Sequence, residues 1–418
     1  MKTIKILLMV AAIWTGEFTA SAQTWAPTSA PTNGWFSVAM SADGSKLVSA
    51  MLLDMYREGF MGEIYTSTNY GVSWISNSVP LLEWDSVASS ADGSTLVACS
   101  GPGLNGMIYT TTNSGAIWLQ ATNAPAKSWT SIACSADGTK LIAGTGYNGV
   151  YTSIDSGATW ISNAVPYTNF YSPWVFVASS AGGTTLAVAV YSLGIYISTN
   201  AGTSWSQSMA PQEYWEGIAS SADGTRLAAV ARTLSGNAGP IYTSTDSGST
   251  WVPNNVPNEL WSSIASSADG TKLVAVSGGN GPGPIYVSTN SGASWALDPV
   301  ANPWNEPWGA VASSADGNER IAVFGSGVSQ SFGSVSGGEG PLYISQTLPS
   351  PSINISSTNG NLALSWLAPS TNFVLQQSLD LQGWSAVTNL PSLNLNDLND
   401  EMSLPMTNGA GFYRLVTQ

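Results

Sequence analysis

Six tryptophans, Trp74, Trp118, Trp160, Trp205, Trp251 and Trp295, follow one another at intervals of 44, 42, 45, 46 and 44 residues. Each closes a short motif, fullest in Ser153-Ile154-Asp155-Ser156-Gly157-Ala158-Thr159-Trp160 and Ser244-Thr245-Asp246-Ser247-Gly248-Ser249-Thr250-Trp251. A period in the forties that holds several short strands is the signature of a β-propeller blade. A second marker keeps its own register: Trp35, Trp84, Trp129, Trp174, Trp215, Trp261 and Trp308 each open an apolar stretch. A Ser-Ala-Asp-Gly turn follows, centred on Asp43, Asp92, Asp137, Asp223, Asp269 and Asp316, with Gly182 in the fourth copy. Next come an apolar run such as Leu273 to Val276, a variable loop, an Ile-Tyr strand such as Ile285 to Ser288, and the Trp-ended motif. That order gives four strands per repeat and seven repeats.

The ends of the repeat array show how the ring closes. Trp25 precedes Trp35 by the same ten residues that separate Trp74 from Trp84, so Trp25 to Pro31 reads as a fourth strand without its first three. Pro341 to Ser345 reads as a third strand with no Trp motif after it. The N-terminal strand is therefore expected to complete the seventh blade, which leaves no open sheet at the seam. The fold class is all-β: a seven-bladed propeller closed by an N-terminal strand, followed by a small C-terminal β-sandwich. A disc closed in this way is expected to be a monomer.

The pattern S-x-[DN]-x-G-x-[ST]-W resembles the Asp-box, or BNR repeat, found in sialidases, sortilin-type receptors, xyloglucanases and photosystem II assembly factors. Asn69, Asn113, Asn200 and Asn290 stand where Asp155 and Asp246 stand in the two full copies, and Ile117 breaks the [ST] position of the second. The physical reason for the box is local. An Asp or Asn side chain accepts backbone N–H groups further along a tight turn. The glycine supplies a left-handed residue, and the Trp covers the turn with apolar surface. These acidic residues therefore read as structural. The box is shared by enzymes and binders, so it fixes fold rather than activity.

Residues 1–22 read as a secretory signal: Lys2 and Lys5, a short apolar core from Ile6 to Trp14, and Ala20-Ser21-Ala22 before Gln23. The propeller is assigned to 23–347, a linker to 348–352 and the C-terminal domain to 353–418. Trp366, Leu375 to Leu381, Trp384 and Phe412 to Leu415 resemble a small β-sandwich of exported verrucomicrobial proteins, and no activity comes with that likeness. The expected location is secreted, periplasmic or cell-surface in a bacterium, with no integral membrane segment in the mature chain.

Composition removes several functions. No histidine is present, which excludes Ser-His-Asp and Cys-His mechanisms and the commonest zinc ligand. Net charge is −14, with no basic patch, so nucleic acid is not expected as a partner. Cys99 and Cys134 occupy positions held elsewhere by residues such as Val276 and Ser266 and read as small core residues without a disulfide. No cofactor or metal is expected, since Asp54, Glu58 and Glu63 do not have calcium-loop spacing.

Chemistry is expected on the face opposite the boxes. In a four-stranded blade the first-second and third-fourth turns share one face, and both barely vary here. The second-third and fourth-first connections share the other and vary in length, notably Leu52 to Met61, Arg232 to Gly239, Gly278 to Pro284 and Gly325 to Gly340. Just before the first-strand Trp this loop face carries Glu83, Lys127, Glu213, Glu259 and Glu306, an acidic rim suited to cationic ligands. Fourteen of the eighteen tryptophans are repeat positions and read as packing between blades. Trp304 lies in an insertion beside Glu306 and has the aromatic-plus-polar character of a sugar-stacking site. Among the five arginines only Arg57 and Arg232 fall on the loop face, so the arginine triad that a sialidase likeness implies is not built. The favoured reading is a non-catalytic binder or scaffold for a glycan or protein, with Trp304, Glu306, Glu83, Glu213, Glu259, Arg57 and Arg232 as candidate contacts. A glycoside hydrolase using paired carboxylates, drawn from residues such as Asp54, Glu58, Glu83, Glu213 and Glu306, is the alternative.

Overall fold

The second strand of each repeat is mostly apolar, and in six repeats it is buried along its whole length. Leu47–Met51, Leu96–Ser100, Leu141–Thr145, Leu186–Val190, Leu227–Arg232 and Leu273–Ser277 are buried at every residue. A strand with both faces covered must lie inside a sheet that is packed on both sides. The structure, a computed structural model, satisfies this with seven four-stranded antiparallel sheets. It describes residues 24–346 and much of 354–417, apart from connecting segments of which the longest are 167–173, 299–306 and 325–339. In six blades the strands run in sequence order from the axis outwards, the seventh taking its outermost strand from the N-terminus, and the first strands, such as Trp35–Met40 and Trp84–Ser89, pack on one another around the ring. The outermost strands are short, two to four residues, and largely exposed, as in Ile75–Ser76 and Leu119–Gln120. Short edges limit pairing with other chains.

Aromatic side chains fill the space between blades. In the first blade Trp35 meets Tyr65 edge-on at 5.3 Å and lies 6.3 Å from Trp74. The same trio recurs as Trp129, Tyr151 and Trp160, and as Trp215, Tyr242 and Trp251. Trp35 packs with Ile321, Val323, Leu342 and Ile344 of the seventh blade, so the repeat tryptophans join blade to blade as expected.

At the inner turns the blades touch through backbone. The N–H of Ala42 donates to the carbonyl of Ala91, Ala91 to Ala136, Ala136 to Ala181, Ala181 to Ala222, Ala222 to Ala268, Ala268 to Ala315, and Ala315 back to Ala42, all at 2.7–2.8 Å. Hydrogen-bonded strands lie about 5 Å apart, so this ring is about 11 Å across its Cα atoms and constricts the channel at the box face. In six of the seven turns an Asp braces this geometry, and the fourth, with Gly182, joins the ring without one. Asp43 accepts from Ser41 Oγ at 2.5 Å and from the Ser45 N–H at 3.0 Å, which fixes the turn that presents Ala42.

Each Asp-box is pinned to the inner turn of its own blade. The Ser156 N–H donates to Thr139 O at 2.8 Å, and the Ser247 N–H to Thr225 O at 2.9 Å. Both kinds of turn thus share one face. Within the box, Asp155 Oδ1 accepts the Thr159 N–H and Oδ2 accepts the Thr159 hydroxyl. The glycine is left-handed as expected, with φ of 90° at Gly157. The residue before it is left-handed too, at Tyr70, Ser114, Ser156, Ala201, Ser247 and Ser291, which the sequence pattern did not reveal. Its bond to the inner turn offsets the cost of that conformation.

The ring closes at the N-terminal strand. Thr24–Pro27 pairs antiparallel with Leu342–Gln346, and Trp25 stands opposite Ser345. The Trp25 indole donates to Asp298 Oδ2 of the sixth blade at 3.1 Å. Arg320 Nη1 reaches the same carboxylate oxygen at 2.9 Å and its guanidinium lies 5.8 Å from the Trp25 ring.

Residues Leu348–Gln418 form a separate compact unit. Its strands make two sheets, Asn354–Thr358, Asn361–Leu367, Asn399–Pro405 and Ser392–Asn394 in one, and Ser385–Ala386, Phe373–Ser378 and Phe412–Thr417 in the other. No helix among the described residues is long and apolar enough to cross a membrane.

Deleting residues 23–31 strips the seventh blade of its outer strand and its Trp25–Asp298–Arg320 link, and should lower the melting temperature of the whole propeller; an unchanged melting curve would refute this closure. Asp246→Ala removes the acceptor for Thr250 N–H and hydroxyl. It should cost about 1 kcal/mol in denaturant unfolding while leaving the loop face intact.

Candidate functional site

Chain geometry at the mouth of the channel starts with a bulge. In six of the first strands the pairing register slips just after the Trp, between Trp35 and Ser37, Trp84 and Ser86, and equivalently in the third, fifth, sixth and seventh blades. A bulge frees one residue from the ladder and re-aims its side chain. That residue is Phe36, Asp85, Thr130, Glu216, Ser262 or Gly309, and all of these line an axial cavity of about 210 Å³. The residue after it is often serine, and its hydroxyl accepts a backbone N–H of the next blade: Ser37 from Val87, Ser86 from Ile132, Ser131 from Val177, Ser263 from Val311.

In the sixth blade the bulged side chain enters a slot between its own second strand and the Trp carbonyl of the next blade. Ser262 shows the pattern, its hydroxyl donating to Trp308 O at 2.7 Å beside Gly278. Asp85 fills the equivalent slot in the second blade. A Cβ placed on Gly101 would lie 2.5 Å from both Asp85 Oδ2 and Trp129 O, so glycine is required there. Asp85 is buried and its Oδ2 has no partner as an acceptor. Burial, reinforced by Glu83, pushes its carboxyl well above the usual range. In that protonated form Asp85 can donate to the Trp129 carbonyl, as Ser262 does to Trp308.

The fifth blade handles its acid differently. Glu216 occupies the bulge, and Arg232 stands where Gly101 and Gly278 stand in the other blades. Arg232 Nε lies 3.1 Å from Glu216 Oε1, and both side chains are buried. Burial raises the Glu216 carboxyl to about 8 against the opposing pull of Arg232. The sequence reading placed Arg232 among ligand contacts of the loop face. The structure corrects this: Arg232 ends the strand Leu227–Arg232 and is the buried partner of a channel acid.

Three of the rim carboxylates are described, and each is half-buried at the loop-face end of its blade. Burial raises Glu83 to about 7. Glu213 and Glu259 are also raised by burial, and Glu213 Oε1 accepts from Tyr242 Oη at 3.3 Å. Glu259 is held by a two-way backbone bridge to Gly239. Trp304, Glu306 and Arg57 lie outside the described residues. The box residues Asn69, Asn113, Asp155, Asn200, Asp246 and Asn290 sit in turns on the opposite face, bonded to their own boxes.

Sequence reasoning missed Asp85 and Glu216. The signal lay in the column just after the first-strand Trp, Phe36, Asp85, Thr130, Val175, Glu216, Ser262 and Gly309, where two acids interrupt an otherwise uncharged position. It also missed a parallel pair of half-buried tyrosines, Tyr191 of the fourth blade and Tyr214 of the fifth, stacked at 4.4 Å and 4° beside Glu213. No group of three or more metal-ligating residues occurs among the described residues.

These carboxyls set opposite pH limits. Hydrogen bonds lower the inner-turn Asp92, Asp137, Asp223 and Asp269 to about 2, so their contribution is present near neutrality and is lost as pH falls. Asp85 is raised above its ordinary value of 3.8, so its contribution is full below that value and is lost as pH rises through the folded value. Glu83 and Cys99 are the titratable groups around it. Thermal melting from about pH 5 to about pH 9 should show wild type losing stability with rising pH and Asp85→Asn losing less, since the amide keeps a donor toward Trp129. Identical pH slopes for the two proteins would show that Asp85 is not held neutral.

No protein-family model matches the chain. No curated protein matches it either. Solved structures do. The chain resembles the GH74 enzyme of Niastella koreensis with TM-score 0.58 and 14% identity, covering 88% of this chain and 60% of that one. The GH74 xyloglucanase of Xanthomonas campestris gives 0.56 and 18%, covering 82% and 59%, so this chain spans about three fifths of either enzyme. YCF48 of Cyanidioschyzon merolae gives 0.54 and 13%, with 77% of this chain and 98% of that chain covered. A structure of YCF48 bound to D1 peptide gives 0.53 and 13%, covering 78% and 97%. At such identities the likeness is one of fold: a seven-bladed propeller shared by glycoside hydrolases and by a peptide-binding protein.

Proposed function

We propose that the chain is an exported, non-catalytic propeller whose loop face binds a polypeptide or glycan. One observation carries this reading. The box face is constricted by seven backbone hydrogen bonds between near-identical turns. Variation is confined to the other face, where second-third connections run from three residues, 191–193, to seventeen, 325–341. A rigid disc with one variable face has the layout of a binding scaffold. The YCF48 structure with bound peptide shows that a propeller of this size can hold a polypeptide. The described carboxylates also favour binding: Asp85 and Glu216 are buried in slots, while Glu213 and Glu259 belong to different blades.

A hydrolase remains the second reading because of the GH74 likeness and of Glu83, whose value of about 7 suits a general acid. The experiment compares Trp304→Ala with a variant carrying Gln at Glu83, Glu213, Glu259 and Glu306. Loss of oligosaccharide binding with Trp304→Ala alone identifies a glycan ligand. Loss of peptide binding in the rim variant, tracking ionic strength, identifies a basic polypeptide. Release of reducing ends from xyloglucan that Glu83→Gln abolishes would overturn the non-catalytic reading.

A further inference from the structure

The fourth blade departs from the repeat in several ways. Gly182 replaces the turn Asp, its first strand, Val175–Ser179, pairs without a bulge, and Trp174 is half-buried where the other first-strand tryptophans are fully buried. Its second-third connection, Tyr191, Ser192 and Leu193, is the shortest of the seven. That brevity forces Ser192 into a left-handed conformation, φ 64°, and its N–H donates to Glu213 O of the fifth blade at 3.1 Å. At the boundary of the fourth and fifth blades this three-residue connection stands beside the five-residue hairpin loop of 233–237, and the two loops of unequal length leave a notch.

The surface there is aromatic and acidic. Tyr191 and Tyr214 lie parallel at 4.4 Å, both half-buried. Glu213 precedes Tyr214, keeps one carboxylate oxygen on Tyr242 Oη at 3.3 Å, and is half-exposed. Burial raises the Glu213 carboxyl, so a cation beside it would relieve an existing penalty. The neighbouring cation, Arg232, is buried against Glu216.

We propose that this notch binds an arginine side chain presented by an extended basic segment of a protein partner, with the guanidinium stacked on the tyrosine pair and hydrogen-bonded to Glu213. Arginine fits better than lysine, because a planar guanidinium stacks on an aromatic face while bonding a carboxylate in the same plane. The charge of the whole chain, −14, and the remaining rim acids Glu83 and Glu259 complement a basic segment over a longer range. A neutral sugar would use the rings and gain nothing from that field. This inference rests on the loop-face reading above and narrows it.

The test is fluorescence titration of the full chain with three labelled peptides: glycine-serine peptides carrying four arginines, four lysines or no charge. The arginine peptide should bind at least about tenfold more tightly than the lysine peptide, with no measurable binding of the neutral one. Tyr214→Ala and Glu213→Gln should each weaken it at least about fivefold, and Tyr191→Phe, which keeps the stack, should leave it unchanged. Equal melting temperatures of the variants confirm that folding is not the cause. Equal affinity for the arginine and lysine peptides, or unaltered binding in Glu213→Gln, overturns the proposal. Arginine-peptide binding lost with Trp304→Ala but kept in the notch variants also overturns it, and leaves the loop-face reading standing. A xyloglucan oligosaccharide whose binding Tyr214→Ala abolishes would assign the notch to a glycan instead.

Discussion

The seven backbone hydrogen bonds from alanine to alanine set the geometry of the propeller. They hold neighbouring inner turns about 5 Å apart, whereas packed sheets want about 10 Å between them. The blades must therefore fan outwards, and the side chains between them must grow with distance from the axis. The residues that follow the bulge near the axis are small: Ser37, Ser86, Ser131, Gly217, Ser263 and Ala310. Further out come the buried first-strand tryptophans, then the Ile-Tyr tyrosines, then the box tryptophans. Small residues sit at the narrow end of the wedge and large aromatic ones fill its wider part. The Asp of six inner turns and the left-handed pair in each box hold the two ends of the wedge on one face.

That framework leaves slots between blades, and two of them contain acids. Glu216 faces Arg232, while Asp85 faces Gly101 and a carbonyl. The same position thus satisfies a buried carboxyl in two ways, by a counter-charge or by keeping its proton. Neither of these two carboxyls is a free nucleophile facing solvent. The divergence of the fourth blade lies at the surface instead, where Tyr191, Tyr214 and Glu213 meet.

Much of the fold was legible in the sequence because its signals repeat. The spacing of Trp74 to Trp295, the Ser-Ala-Asp-Gly turns and the matched ten-residue offsets at Trp25 and Trp74 fixed blade number, strand order and the closing strand, which the pairing of Trp25 with Ser345 bears out. The site was less legible for a physical reason. Rim residues stand out by their place in loops, yet the two channel acids lie within strands, directly after the first-strand Trp, where only the bulge turns them toward the slot. Arg232 was read as a surface cation because it ends a strand beside a loop; its burial depends on Glu216, a contact across the sheet that no local pattern announces. The tyrosine stack joins two blades and appears in no single repeat.

Closure by the first strand also orders events in time. Trp25 pairs opposite Ser345, so the two strands that seal the disc are the first and the last parts of the propeller to be made. Until they meet, Leu342–Gln346 is a bare edge and Asp298 and Arg320 lack the Trp25 ring that covers them. Contacts of such long sequence separation form slowly, because the chain must close a very large loop first. Six blades can zip together from neighbour to neighbour while the seventh waits. The chain therefore passes through an open crescent whose sticky end matches its own N-terminal strand, and equally the N-terminal strand of another copy.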